Sequence, residues 1–202
     1  LIRMGFEIAQ TRNGAPSDGV RRVSCIDKSN VTRGCQLFRA TFSDIASQYP
    51  DTEADYGYID AFMQWITRSP EHYDTVVTSN MFGDISTDLG AVLQGGMGMA
   101  ASGNIGDQHA FFEPVHGSAP KHAGQNKVNP IASINSIQMM MDYLGRKNND
   151  DDLVAVGRLI DESVADHLRE GKQLTYDIGG TASCSDVGMS IANRLADKLK
   201  ER

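Results

Sequence analysis

Three short runs constrain this chain most: "RRVSCID" at 21–27, "EADYGYI" at 53–59 and "YDTVVTS" at 73–79. Each is rich in β-branched or aromatic residues, and each is followed by a segment of helical length. "VTRGCQLFRATFSDIASQYP" carries Leu37, Phe38, Phe42 and Ile45 at helical spacing and stops at Pro50. "DAFMQWITRSP" ends at Pro70, and "FGDISTDLGAVLQ" follows the third run. Upstream, "LIRMGFEIAQTR" has an amphipathic pattern, and "NGAPSDG" is turn chemistry. Strands alternating with helices can bury their apolar faces only in layers, so the pattern predicts an α/β fold.

The texture changes near Gly95. "GGMGMAASGNIG" is Gly-rich and small, and it reads as a connection. "AFFEPV" is one more strand, "HGSAPKHAGQNKVNP" a polar loop, and three helical segments complete the chain from "IASINSIQMMMDYLG" onward. A length of 202 residues with 40% hydrophobic content allows two halves. The expected division is 1–94 and 95–202.

Charge and cysteine usage narrow the function classes. The net charge is −7 with no long basic run, which disfavours nucleic acid and anionic membrane as partners. No apolar run is long enough to span a bilayer. Cys25, Cys35 and Cys184 form no CxxC and are odd in number, which suits free thiols in the cytoplasm or an organelle matrix. "LIRMGFEIAQTR" lacks the features of a signal peptide and reads as a helix from inside a longer polypeptide.

Four stretches could carry chemistry. In "FGDISTDLG", Asp84 and Asp88 would share one helix face and repel. A hard divalent cation such as Mg²⁺ or Mn²⁺ would turn that repulsion into attraction. An aspartate in a first helical turn also meets the helix dipole, so that role stays open for Asp84. Asp60 stands where a strand gives way to a helix, at the carboxyl end where α/β sites gather, and it also suits an N-cap. In "IDKSN", Lys28 could serve as an acid or base and Asn30 as a donor; a surface turn with Asn30 capping the next helix is the plainer possibility. The loop from His116 to Pro130 exposes many backbone amides and carries Lys121 and His122, which suits a phosphate. "GMGMAA" satisfies a dinucleotide fingerprint by letter only, since it follows a helix instead of a strand.

Together the motifs "IDKSN", "YIDAFMQWITRSPEHYD", "SNMFGDISTDLG", "GNIGD", "FEPVHGSAPKHAGQNKVNP" and "TYDIGGTAS" resemble the β-decarboxylating dehydrogenases. These include isocitrate, isopropylmalate, homoisocitrate, tartrate and D-malate dehydrogenases. The resemblance runs from one end of the chain to the other and implies the two-lobed isocitrate/isopropylmalate dehydrogenase fold. It implies that the upstream third of that fold, with its substrate arginines and catalytic tyrosine, lies outside these 202 residues. Residues 1–94 then belong to a smaller, dimer-forming domain and 95–202 to a larger cofactor-binding domain.

The resemblance also implies roles. Asp84 and Asp88 match metal aspartates, and Asp60 matches a third supplied by a neighbouring subunit of a homodimer. Lys28 matches the catalytic lysine, also delivered across the interface, with Asn30 beside the substrate. Glu113, His116, Gly117, Ser118, Ala119, Lys121, His122 and Asn129 match the cofactor loop, and Tyr176 matches a tyrosine near the 2′-phosphate of NADP. Lys121 stands where NAD-dependent relatives usually carry an aspartate, so NADP is favoured over NAD. The arginine that accompanies the tyrosine is Gly180 here. The substrate is expected to be a hydroxy acid, a 3-substituted malate, with "GGMGMAASGNIGD" leaning toward isocitrate-like compounds. A noncatalytic regulatory paralogue and a metal-dependent hydrolase are the alternatives. The presence of Lys28, Asp60, Asp84 and Asp88 argues against the first; the loop around His116 has no use in the second.

Overall fold

β1 (Arg22–Asp27) explains the first half of the chain, because all six of its residues are buried. It lies between β2 (Glu53–Tyr58) and β3 (Thr75–Thr78) in a parallel sheet of order β2-β1-β3. α2 (Arg33–Ala46) connects β1 to β2, and α3 (Ile59–Arg68) leads from β2 toward β3. The two connections run in opposite directions along the sheet. Right-handed crossovers therefore place α2 and α3 on opposite faces, which is why β1 has no wet side. α1 (Ile2–Thr11) buries Ile2, Gly5, Phe6 and Ala9, one stripe at helical spacing. Phe6, Phe42, Val23, Cys25 and Val77 form the core there. The Phe6 ring stacks on Tyr49 at 4.8 Å and meets Phe42 at 5.3 Å. α4 (Asn80–Gln94) follows β3.

The computed structural model describes residues 1–201 and divides into two compact units, Leu1–Gly90 and a second beginning at Ala91. The change of unit falls inside α4, a few residues before the glycines at 95 and 96.

The second unit is built on a hairpin and three helices. β4 (Ala101–Ile105) pairs antiparallel with β5 (Ala110–Pro114), from Ala101↔Pro114 to Ile105↔Ala110. α5 (Ile131–Asn148), α6 (Asp151–Glu170) and α7 (Cys184–Lys200) follow, around a core of Met99, Ile131, Val164, Val187 and Ile191. Helix ends are chemically marked. Asn149 in the left-handed region closes α5, and Asp150 caps α6 through the N–H groups of Asp152 and Leu153. Ser183 and Asp186 form a capping box at α7.

β4 corrects the expectation of a plain connection at "GGMGMAASGNIG". Gly103 must be small because it is paired with the bulky Phe112. A Cβ on Gly103 would come within 3.0 Å of the Phe112 ring. "GMGM" itself forms a 3-10 turn, Met97–Met99, leading into a strand, so it is no dinucleotide fingerprint.

Candidate functional site

The parallel strands end nearly level. Asp27 is opposite Tyr58, and Ile26 is opposite Thr78. The residues that follow β1, β2 and β3 therefore emerge on one edge of the sheet, where parallel α/β folds place their chemistry. Lys28 follows β1 and Asp60 follows β2, and the Lys28 Nζ is ion-paired to Asp60 Oδ1. The Lys28 ammonium, with the backbone N–H groups of Asp60 and Ala61, holds the Asp60 carboxyl below the usual carboxylate range. Asp60 is not the N-cap. Tyr58 takes that position, and Asp60 lies in the first turn of α3. Asn30 is exposed and caps nothing; the N-cap of α2 is Thr32, which accepts from the Cys35 N–H.

Asp84 and Asp88 are exposed on α4. The helix begins at Asn80, so Asp84 lies beyond the first turn, where the dipole offers little compensation. Asn80 Nδ2 donates to Asp84 Oδ1 at 3.4 Å, and neither carboxylate has an ion pair among the described residues. Two uncompensated carboxylates one turn apart are a donor set suited to a hard divalent cation, which completes its shell with other oxygens. Among the described residues no three carboxylate, imidazole or thiol groups converge on one point, so Asp60 does not join Asp84 and Asp88 within a single chain.

The second unit carries the loop. His116, Gly117, Ser118 and Ala119 lead from β5, which holds Glu113 on its exposed side, into a 3-10 turn, Pro120–His122. His116 Nδ1 is 2.8 Å from the Gly117 carbonyl oxygen. Ala119 and Asn126 take left-handed φ values of 47° and 51°, a conformation that the loop must hold by its contacts. Asn126 supplies several of these: its carbonyl accepts the Cys184 N–H, and its side chain accepts the Ser185 N–H and donates to the Ser185 hydroxyl. Asn129 is buried. Its Oδ1 accepts the Ile131 N–H at 3.0 Å, and its Nδ2 donates to Asp177 at 3.1 Å. The loop is thereby tied to α5, α7 and the segment around Tyr176.

Lys121 is exposed and makes no ion pair among the described residues. His122 Nδ1 is buried without a hydrogen-bond partner among the described residues, and its ring lies 6.4 Å from that of Tyr176. Lys127 lies 4.8 Å over the Tyr176 ring. An unpartnered histidine nitrogen, two lysines and a half-exposed tyrosine fit an anionic, aromatic ligand such as a nucleotide. Lys127 and Asp177 were missed from sequence. Nothing in the chain order shows which lysine meets a tyrosine 49 positions away. Gly180 is also explained: a Cβ there would lie 1.9 Å from the Leu174 carbonyl oxygen, so this backbone path admits no side chain.

The chain matches the isocitrate/isopropylmalate dehydrogenase family over residues 1–191 and belongs to it. A homoisocitrate dehydrogenase of Methanocaldococcus jannaschii is 43% identical over 201 residues, covering 99% of this chain and 54% of that protein. A 3-isopropylmalate dehydrogenase of Methanothermobacter thermautotrophicus is 38% identical, covering 98% of this chain and 56% of that protein. The crystal structure of an apo β-decarboxylating dehydrogenase from Thermococcus kodakarensis superposes with a TM-score of 0.84 at 36% identity, over 98% of this chain and 55% of that one. The chain thus spans about half the length of the relatives it matches. No described helix is long and apolar enough to cross a membrane.

Proposed function

We propose that the protein oxidatively decarboxylates a 3-substituted (2R)-malate, isocitrate-like, using a divalent metal and NADP⁺ in preference to NAD⁺. The observation that carries this reading is the Lys28–Asp60 pair at the level ends of β1 and β2, with Asp84 and Asp88 on the helix after β3. Asp84 and Asp88 would hold Mg²⁺ or Mn²⁺, which would supply Lewis-acid chemistry at the substrate oxygens, and bound NADP⁺ would supply the hydride acceptor. The neutral amine of Lys28 accepts the proton of the C2 hydroxyl, directly or through water, and Asp60 holds the ammonium so formed in place. The β-keto acid so formed loses CO₂. Glu113, the 116–119 turn, His122 and Asn129 hold the adenosine half, with Lys121 and Tyr176 at the 2′-phosphate and Lys127 as a further cation.

The active unit is a homodimer in which Lys28 and Asp60 of one copy face the partner subunit's Asp84 and Asp88. The absence of a three-carboxylate group among the described residues supports this, as do the exposed apolar side chains of Trp65, Met81 and Ile85. Residues before the change of unit form the dimer, and those after it bind the cofactor. The three free cysteines suit a reducing compartment, the cytoplasm or an organelle matrix.

Purified full-length protein, assayed with a panel of 3-substituted malates, is expected to reduce NADP⁺ only when Mn²⁺ or Mg²⁺ is present. Absence of reduction with every hydroxy acid and both cofactors, from folded protein, would point to a noncatalytic member of the family.

A further inference from the structure

The turn that carries Lys28 is braced from beneath by its neighbour Asp27 and by Arg39 on α2, to which no role has been given above. Asp27, the last residue of β1, is 1% exposed. Its Oδ1 accepts the Ser29 N–H at 2.9 Å and an Arg39 Nη2–H at 3.0 Å, while Oδ2 accepts the Arg39 Nε–H at 2.7 Å. Arg39 Nη2 also donates to the Gly57 carbonyl in β2 at 3.4 Å. The guanidinium lies 5.2 Å over the Tyr56 ring and 5.1 Å over the Tyr58 ring. The Tyr58 ring is in turn 5.7 Å from Lys28 Nζ. Tyr58 is also the N-cap of α3, two residues before Asp60. One guanidinium on α2 therefore ties the end of β1 to the end of β2, and Lys28 and Asp60 hang from those two ends.

We propose that Arg39 is a positioning residue: its two-pronged hold on Asp27, with its contacts to Gly57 and Tyr58, aims Lys28 at Asp60 and at the reacting hydroxyl. The proposal rests on reading Lys28 as the proton acceptor. Charge compensation alone does not account for the arrangement. Any cation would neutralise Asp27, but only a planar fork can hold both carboxylate oxygens and still reach the neighbouring strand and both rings. The consequence of loosening it is specific. A lysine amine swinging off its line to the hydroxyl loses rate without losing substrate binding.

Arg39→Lys in the full-length protein separates the two roles, because it keeps the charge beside Asp27 and removes the fork. The expected result is a kcat lowered on the order of 10- to 100-fold, with KM for the hydroxy acid and the unfolding midpoint near wild type. A second readout does not need turnover. Acylation of Lys28 by an N-hydroxysuccinimide ester, followed by peptide mass spectrometry, is normalised to Lys172, whose side chain is 76% exposed. This ratio is expected to rise several-fold in Arg39→Lys. Should that variant fail to fold, Tyr58→Leu removes the ring between Arg39 and Lys28 and is expected to give the same split and the same rise. A folded variant with wild-type kcat and an unchanged labelling ratio overturns the proposal. A wild-type protein inactive with every hydroxy acid overturns the functional reading instead, and the labelling ratio still decides the role of Arg39.

Discussion

At the scale of single residues, Asp88 and Lys121 are exposed groups with no ion pair to lose among the described residues, so their substitution separates function from folding. Asp88→Asn removes one of two negative charges from the proposed metal site. Mn²⁺-dependent turnover is expected to fall by roughly 10- to 100-fold, as for other disturbed metal sites, with the unfolding midpoint unchanged; unfolding would mean that Asp88 is structural. Lys121→Asp exchanges attraction for repulsion at the 2′-phosphate. kcat/KM for NADP⁺ is expected to drop about 10- to 100-fold, the loss of one hydrogen bond to a charged group, while NAD⁺ is spared or favoured. Native preference for NAD⁺ would show that Lys121 does not reach that phosphate. His167 gives a pH dependence of stability. It is buried between α6 and α7, with Nδ1 2.9 Å from the Ser190 hydroxyl. Burial, and then the Arg194 charge, hold its pKa below the ordinary value, against a smaller opposite pull from the Gln173 backbone. The unfolded chain therefore binds a proton that the native state resists. Above about pH 6.5 this group has no effect, and below that value stability falls, by at most about 1.4 kcal/mol per pH unit. Denaturant midpoints measured from pH 7.5 down to 5 should show the slope, and His167→Gln should flatten it.

At the scale of elements, the hairpin of β4 and β5 depends on the absence of a side chain at Gly103. Gly103→Val would press on the Phe112 ring and on Met139, and it is expected to cost about 1–3 kcal/mol, the usual range for overpacking. Urea unfolding measures it, and a second substitution, Phe112→Leu, should recover part of the loss. β4 was also the element least legible in the sequence. "RRVSCID", "EADYGYI" and "YDTVVTS" declare themselves by their own composition, whereas "ASGNI" is a strand only because "AFFEP" lies beside it. The site divides in the same way. Lys28, Asp60, Asp84 and Asp88 could be proposed from motifs and from their places after strands and on a helix. The pairing of Lys28 with Asp60 could not, since it depends on the register that sets Asp27 opposite Tyr58. Lys127 and Arg39 were silent for the same reason: each acts on a residue brought near by folding, with no local pattern to announce it.

At the scale of the whole molecule, the proposed sharing of sites between copies makes a test by mixing. Full-length Lys28→Ala and Asp84→Asn variants are each expected to be nearly inactive. Heterodimers of the two should regain activity, approaching one competent site per dimer, since one site inherits both lesions and the other neither. No recovery after verified subunit exchange would mean that each site is built within one chain. The change of unit at Gly90 falls within a single helix, α4, which runs from Asn80 to Gln94. A protease needs several residues in extended form, and a hydrogen-bonded helix of four turns does not present them. Limited digestion should therefore nick the chain first in exposed segments such as 106–109 and 117–126, leaving the junction intact. Halves cut at Gly90 by gene design would each inherit a broken helix end with unpaired backbone groups, so the seam between the units is no natural place to divide the polypeptide.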